Sequence, residues 1–197
     1  FSLIRITGLL LVLLYHFFQT IFPGGFFGVD VFFTFSGFLI TALLIEEFSK
    51  NHEIDLIGFF RRRFYRIVPP VVLMVLVTMP FTFLVRQDYV AGIGGQIAGV
   101  LGFMTNFYEL LTGGSYESQF IPHLFVHNWS LAVEVHYYIL WGLAVWFLSK
   151  QAKSNGQLRG MVFLLSAAAF LISFFSMFIG SFLVTSYSCL LYTSDAA

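Results

Sequence analysis

Long apolar runs recur along the 197-residue chain, and they constrain its fold more than any other feature of the sequence. A bilayer core about 30 Å thick is spanned by roughly 20 apolar residues in a helix. We therefore predict an all-α, polytopic transmembrane helix bundle with five to six spans. The predicted spans cover residues 3–22, 26–48, 67–85, 129–148 and 161–184, and residues 89–111 form a weaker, glycine-rich candidate that either crosses or is re-entrant.

The composition supports a chain that lies mostly in a membrane. Hydrophobic residues make up 58% of it and charged residues only 10%, whereas soluble domains usually carry about 25% charged residues. The formal net charge is zero, so bulk charge gives no reason to expect a nucleic-acid partner. The single cysteine, Cys189, excludes an intramolecular disulfide and a cysteine-based metal site. The five scattered histidines show no metal-ligand spacing.

Clustered basic residues orient the predicted spans, because cytoplasmic loops of membrane proteins are enriched in Lys and Arg. Four arginines between residues 61 and 66 mark the loop before the third span as cytoplasmic, and Arg5 then places the N-terminus on the same side. The basic loop at 150–159 should be cytoplasmic as well. That requires residues 89–111 not to cross, which is the alternative we favour.

The two ends of the sequence lead to further expectations. The chain begins with Phe1, with no charged leader and no small-residue cleavage site around its first apolar run. We therefore expect no secretory signal peptide, and we expect further natural residues before Phe1. The tail CLLYTSDAA has no basic anchor. We assign residues 1–187 to part of a membrane domain and residues 188–197 to an atypical tail that is truncated or foreign.

His16 and Arg5 are two ionisable residues within the first span. Ionisable groups at membrane depth are expensive and suggest function. Eleven steps of a helix end about 20° from whole turns, so both residues share a face and are separated by roughly 16 Å along the axis. This spacing suits a long ligand with an anionic head and a reactive end. The alternative is a neutral histidine that is satisfied by a neighbouring helix.

Arg62, Arg63 and Arg66 cluster if they lie on one helix, because they are three or four residues apart. Guanidinium groups bind phosphate bidentately. A helix N-terminus also favours anions, and we expect one here because Pro69 and Pro70 fit the first turn of the third span. The alternative is that the arginines only set topology or contact lipid head groups.

The block FPGGFFGVDVFFTFSGFLIT carries a carboxylate in an apolar run. Asp30 is followed at helical spacing by Thr34, Gly37 and Thr41, so we expect this small, polar helix face to border a polar interior. Ser36 lies on a different face. It either pairs with His16 for nucleophilic catalysis or is an element of helix packing or kinking.

The stretch HNWSLAVEVHYYILW is the second concentration of polar groups. Ser130, Glu134, Tyr137, Tyr138 and Trp141 form one polar and aromatic stripe at helical spacing. A buried glutamate must be neutral or paired, and His16 or an arginine is the expected partner. The alternative, an interfacial belt of aromatic anchors, explains Trp129 but not Glu134.

These motifs occur together, in this order, in the membrane acyltransferase 3 family. Arg5 and His16, the GGFFGVDVFFTFSGFLIT block, the pair Arg63 and Arg66, and NWSLAVEVHYY carry the resemblance. Within that family the chain is most similar to the bacterial enzymes that O-acetylate peptidoglycan. The resemblance implies a multi-pass enzyme of the bacterial plasma membrane. That enzyme moves acetyl groups from cytoplasmic acetyl-CoA to a hydroxyl of an extracytoplasmic glycan.

The resemblance also implies site roles. His16, Arg5, Arg63 and Arg66 match functionally essential family positions. We expect Arg63 and Arg66, together with Arg5 and Arg62, to hold the coenzyme A phosphates. His16 then acts as general base or transient acetyl carrier, and Glu134 orients it or balances its charge. The expected substrate path is lined by Asp30, Ser36, Ser130, Tyr137 and Tyr138.

Two departures from the family pattern lead to further expectations. The family domain has about ten spans, so we interpret the chain as its N-terminal half, inactive alone. An extracytoplasmic esterase-like domain, present in many peptidoglycan members, is the expected partner and has no counterpart in the sequence. The alternatives are a non-enzymatic transporter or flippase component, and a structural subunit whose arginines only set topology.

Overall fold

The computed structural model describes residues 2–18, 21, 27–84, 92–112 and 123–194, and within these ranges the chain is helical, with no strand. The side chains of residues 2–5, 9, 16, 83 and 183–194 are outside the description, so the side-chain predictions for Arg5 and His16 lie outside it too. The helices are α1 (Ser2–Phe17), α2 (Phe27–Asn51), α3 (Leu56–Thr78), α4 (Ile93–Leu101), α5 (Thr105–Thr112), α6 (Trp129–Gln151) and α7 (Asn155–Ser194).

Four of the described helices, α2, α3, α6 and α7, are long and apolar enough to cross a membrane. Helix α1 has 16 residues, or about 24 Å at 1.5 Å per residue, and is shorter than a bilayer core. The all-helical, multi-pass architecture is therefore confirmed. The four long helices alone do not reach the predicted count of five to six spans.

Helices α2 and α6 run parallel to each other. Ser36 contacts Glu134 and Thr41 contacts Trp141, so the paired positions increase together along both helices. Helix α3 runs antiparallel to α6, since Arg63 lies over Tyr138 while the earlier Phe59 meets the later Gly142. The chain therefore leaves α3 and enters α6 at the same end of the helices.

Residues 89–111, predicted as a weaker span, do not form one helix. The described part of this segment consists of the nine-residue α4 and the eight-residue α5, each of about 12–14 Å. A tight turn at Gly102 and Phe103 separates them, with Phe103 at a φ of 53°. The structure therefore favours the re-entrant alternative for this segment.

Helix α3 begins earlier than predicted. Asp55 caps its N-terminus by accepting a hydrogen bond of 2.9 Å from the Gly58 backbone N–H. Pro69 and Pro70 then lie inside the helix, so the prediction that they occupy its first turn is wrong. Proline has no backbone N–H, so the carbonyls of Tyr65 and Arg66 do not receive their usual intrahelical hydrogen bonds. Such breaks are tolerated in membrane helices where other groups satisfy the carbonyls.

Helices α1 and α2 cross at two glycines. A Cβ atom added to Gly28 would lie 2.6 Å from the Gly8 carbonyl oxygen and 2.8 Å from a Val12 methyl carbon. Only glycine permits this approach, and small residues at such crossings allow close helix packing in membranes. The crossing places the middle of α1 against the first turns of α2.

A shared apolar core fixes α4 beside the entrance to α6. It contains Val71 and Val75 of α3, Val100 of α4, and Phe125 just before α6. Within it the buried Gln96 side chain accepts a hydrogen bond of 3.3 Å from the Phe125 backbone N–H. Packing and one buried polar contact therefore hold the α4–α5 pair in place.

The chain divides into two compact units, residues 1–147 and 148–197. The second contains α7, which carries exposed phenylalanines one turn apart, among them Phe170, Phe174 and Phe178. Exposed aromatic rings on successive turns of a helix suit a lipid environment. The backbone of α7 remains helical to Ser194, and the boundary at residues 187 and 188 stays a prediction.

Candidate functional site

A hydrogen-bonded carboxylate lies at the contact between α2 and α6. The Ser36 hydroxyl donates to Glu134 Oε1 at 2.6 Å, and the Tyr138 hydroxyl donates to the same oxygen. The half-buried Glu134 is thereby provided with two hydroxyl donors, as a carboxyl group removed from water requires. These described partners differ from the histidine or arginine that we predicted. Ser36 contacts the glutamate, and its predicted contact with His16 lies outside the described side chains.

The predicted stripe on α6 faces α2. The Trp141 indole N–H donates to Thr41 Oγ1 at 2.8 Å, and the Thr41 hydroxyl donates to the Gly37 carbonyl at 2.7 Å. The Tyr137 ring stacks on Trp141, with ring centroids 5.8 Å apart, and its hydroxyl oxygen lies 3.2 Å from where a Gly37 Cβ would be. Small side chains on α2 thus make room for the aromatic side chains of α6.

A cavity of about 250 Å³ adjoins the carboxylate. Glu134 and Ser130 supply its polar lining, and Val12 of α1 lines it too. The Ser130 hydroxyl donates to the His127 carbonyl at 3.3 Å. Position 16 follows Val12 by one turn of α1. We call this space, lined also by Val29, Phe32, Phe33 and Leu131, the glutamate cavity.

Asp30 is not part of this cluster. It lies in the first turn of α2, where the helix dipole favours a negative charge, and both Asp30 and Thr34 are exposed. Of the predicted polar face of α2, Gly37 and Thr41 contact α6. The later part of this face therefore contacts α6, and the polar interior expected beside Asp30 and Thr34 stays a prediction.

A second cavity, of about 490 Å³, brings the three predicted arginines together. We call this space the arginine cavity. Arg62, Arg63 and Arg66 line it together with Leu43, Glu46, Glu47, Lys50, Asn51 and Phe59. Four of these residues are cationic and two are acidic, so its lining has a net positive charge. This cavity suits an anionic ligand.

Two of the four cationic side chains already form ion pairs with the acidic residues of the cavity. Arg62 Nη2 lies 3.0 Å from Glu47 Oε2, and Lys50 Nζ lies 2.6 Å from Glu46 Oε1. Glu47 also accepts the Asp55 backbone N–H at 2.9 Å. The predicted contribution of a free helix N-terminus is wrong, because α3 begins at Leu56, well before the arginines, and Asp55 already caps it.

Arg63 connects the two cavities. Its Cζ atom lies 5.4 Å from the Tyr138 ring centroid and 5.6 Å from that of Phe59, within the range of a cation–π contact. The same Tyr138 donates to Glu134. Two consecutive contacts, Arg63 with Tyr138 and Tyr138 with Glu134, therefore run from the arginine cavity to the glutamate cavity.

The family model described as "Acyltransferase domain" matches residues 1–193. The chain belongs to this acyltransferase family. The membrane acyltransferase 3 resemblance of the sequence motifs is thereby confirmed, and the long apolar helices agree with a multi-pass membrane protein.

Curated relatives of this acyltransferase chain include O-acetyltransferases. It is 33% identical over 142 residues to O-acetyltransferase OatA of Staphylococcus aureus, a match that covers 72% of the chain and 24% of the relative. It is 31% identical over 139 residues to peptidoglycan O-acetyltransferase OatA of Listeria monocytogenes, covering 70% of the chain and 22% of the relative. The matched region thus spans about a quarter of these relatives. No solved structure matches the chain significantly.

Two contacts between a carboxylate and a basic side chain of this acyltransferase chain are not predicted by its sequence patterns. Glu47 pairs with Arg62 across a separation of 15 residues. Glu109 Oε2 lies 2.9 Å from His123 Nδ1, with both side chains largely buried. Neither pair has helical spacing, so no local pattern identifies it. For the contact of Glu47 with Arg62, the sequence offers one indication, which is that opposite charges flank the loop between α2 and α3.

Proposed function

We propose that this chain is part of a bacterial plasma-membrane O-acetyltransferase. It uses acetyl-CoA as donor and acetylates a hydroxyl of an extracytoplasmic glycan. The proposed glycan is peptidoglycan, because the Listeria relative is named a peptidoglycan O-acetyltransferase. The observation that carries the proposal is the pairing of a cationic cavity with a separate, hydroxyl-bonded carboxylate. An extracytoplasmic esterase-like domain is the proposed partner for final transfer.

The arginine cavity is the proposed donor site. Arg63 and Arg66 hold the coenzyme A phosphates, which guanidinium groups bind bidentately. Arg62 exchanges its Glu47 partner for phosphate, and Arg5 contributes from α1. Coenzyme A carries several negative charges, and the net positive lining favours such a ligand.

The glutamate cavity is the proposed site of transfer. His16, one turn beyond Val12 on α1, acts as general base or as transient acetyl carrier. Glu134 orients it or balances its charge, and Ser36 and Tyr138 position Glu134. Ser130, Tyr137 and Asp30 line the path on which the glycan hydroxyl approaches. This division places donor binding and chemistry at different depths.

The proposed topology has five spans, α1 joining the four long helices. Arg61, Arg62, Arg63 and Arg66 face the cytoplasm by the positive-inside rule. Because α2 and α6 are parallel, the α4–α5 pair then lies on the extracytoplasmic side, where an acceptor glycan arrives.

The first test measures acetate on the cell wall. The complete coding sequence that contains this chain is expressed in a bacterium lacking its own peptidoglycan O-acetyltransferase, and base-labile acetate is quantified in purified peptidoglycan. We expect acetate with the natural sequence and none with His16→Ala at equal membrane abundance. Equal acetate in both strains would remove His16 from the mechanism, and none in either would reject the acceptor or the activity.

The second test addresses the donor site. We expect Arg63→Ala plus Arg66→Ala to abolish acetyl-CoA binding by the purified full-length protein. Arg61→Ala is the matched control, since Arg61 lies on the same helix, is exposed and does not line the arginine cavity. Unchanged binding in the double variant would reject the phosphate assignment.

A further inference from the structure

Tyr138 lies between the two cavities without lining either of them. Its hydroxyl donates to Glu134, which lines the glutamate cavity. Its ring lies beneath Arg63, which lines the arginine cavity. Tyr138 itself is only 7% exposed. One buried ring thus contacts a lining residue of each cavity.

The cavities are separated along α2 as well. The glutamate cavity reaches down to Phe33, and the arginine cavity begins at Leu43, an interval of about 15 Å on a helix. Ile40, in the middle of this interval, is fully buried. On the buried side of α2, a ligand that reaches from one cavity to the other must therefore pass the packed side chains around Ile40.

Three contacts hold Tyr138 in place, and they differ in kind. The longest joins its hydroxyl oxygen to Ser36 Oγ at 3.5 Å. The contact with Glu134 is a hydrogen bond within α6. The contact with Arg63 is a cation–π contact to a side chain of another helix. An anion in the arginine cavity competes with the ring for Arg63, because a guanidinium group binds phosphate more strongly than an aromatic face. A ligand shifts a conformational equilibrium only through such a difference in affinity.

We propose that Tyr138 is a positioning residue that closes the passage between the cavities, and that a phosphate-bearing ligand in the arginine cavity opens it by drawing Arg63 away from the ring. The identity of that ligand as the acyl donor rests on the proposed function. The closing of the passage by Tyr138 does not depend on it. Donor binding and access to Glu134 are thereby coupled, so that the passage stays closed when no donor is bound.

The test measures access from the arginine side. In the full-length protein with Cys189→Ser, Ser130→Cys places a thiol in the glutamate cavity, and a membrane-impermeant sulfonated maleimide is added to inside-out vesicles. We expect the thiol of the Tyr138→Ala variant to be labelled about ten-fold faster than that of the parent. A ten-fold change in rate corresponds to lowering the barrier by ~1.4 kcal/mol. Tyr138→Phe, which keeps the ring beneath Arg63, should label like the parent. Labelling from the opposite face controls for thiol reactivity.

A second experiment leaves Tyr138 unchanged, so it does not depend on whether the Tyr138→Ala variant folds. Inorganic pyrophosphate, a probe without a thiol, should accelerate labelling of the parent several-fold. With Arg63→Gln, labelling should already be fast and should not respond to pyrophosphate. A parent that does not respond, or a folded Tyr138→Ala that labels no faster, would overturn the proposal. If labelling behaves as expected but no acetate reaches any glycan, the proposed function fails and the closure by Tyr138 stands.

Discussion

Glu134 shows how a single carboxyl group is maintained inside an apolar helix pair. Ser36 and Tyr138 both donate to its Oε1 atom, and each loss leaves a poorly solvated oxygen with one donor fewer. A buried acceptor that loses its partner costs about 1–3 kcal/mol. The change in the free energy of unfolding caused by a substitution of either donor therefore depends on the donor that remains, and not on the apolar contacts around Glu134.

Replacement of Ser36 by alanine tests this view. We expect Ser36→Ala to lower the free energy of unfolding by about 1–3 kcal/mol, measured by thermal unfolding in detergent. Ser166→Ala is the matched control, because the Ser166 hydroxyl only donates to the Val162 carbonyl of its own helix at 2.8 Å. A control as unstable as Ser36→Ala would show that the loss is not specific to the Glu134 contact.

For Glu47 we predict a substitution that strengthens ligand binding. Its carboxylate occupies Arg62, and removing that charge frees the guanidinium for phosphate. We expect Glu47→Gln to tighten acetyl-CoA binding about five-fold, equivalent to ~1 kcal/mol, as measured by calorimetry. Glu53→Gln, in the neighbouring loop and outside the arginine cavity, should have little effect. Weaker binding in Glu47→Gln would mean that its contact with the Asp55 N–H dominates.

At the scale of helices, close backbone approach fixes α1 on α2. A methyl group at Gly28 would lie 2.6 Å from the Gly8 carbonyl oxygen, and backbone atoms cannot move aside as a flexible side chain can. We expect Gly28→Ala to destabilise the protein by about 1–3 kcal/mol through forced separation of the helices. Thermal unfolding checks this against Gly94→Ala, where a Cβ meets nothing within 4 Å. Similar stability of both variants would contradict the crossing.

Sequence patterns predicted some helices closely and others poorly, for identifiable reasons. Residues 26–48 and 129–148 were predicted as spans and form α2 and α6, because long apolar runs determine membrane helices. The start of α3 was missed because its arginines were interpreted as a loop, although Arg is a good helix former and Asp55 caps the helix. Residues 89–111 are apolar enough for a span, but the turn at Gly102 and Phe103 divides them.

The site was predictable along each helix but not between helices. The stripe from Ser130 to Trp141 follows from spacing of three and four residues, and the structure confirms that it shares a face. The contact of Ser36 with Glu134 joins positions 98 residues apart and depends on the register of two parallel helices. No periodicity within either helix encodes that register, so Ser36 remained one of two alternatives until the fold was known.

For the whole molecule, the parallel arrangement of α2 and α6 makes a topological prediction. Leu84 and His127 should lie on one side of the membrane and Asn51 on the other. All three side chains are exposed, so single cysteines at these positions, with Cys189→Ser, can be labelled by an impermeant maleimide in intact cells. We expect labelling at 84 and 127 and none at 51. Labelling of 84 and 127 from opposite faces would show that the α4–α5 segment crosses.

The bond between Tyr138 and Glu134 also bears on how the chain is made. Helix α6 leaves the ribosome well after α2, which at about 5–20 residues per second means several seconds during which α2 already lies in the bilayer. Tyr138 and Glu134 are four residues apart in one helix, so the carboxyl group has a hydrogen-bond partner as soon as α6 forms, before it meets Ser36. The nascent helix therefore carries its own first partner for the glutamate into the lipid, and docking against α2 supplies the second.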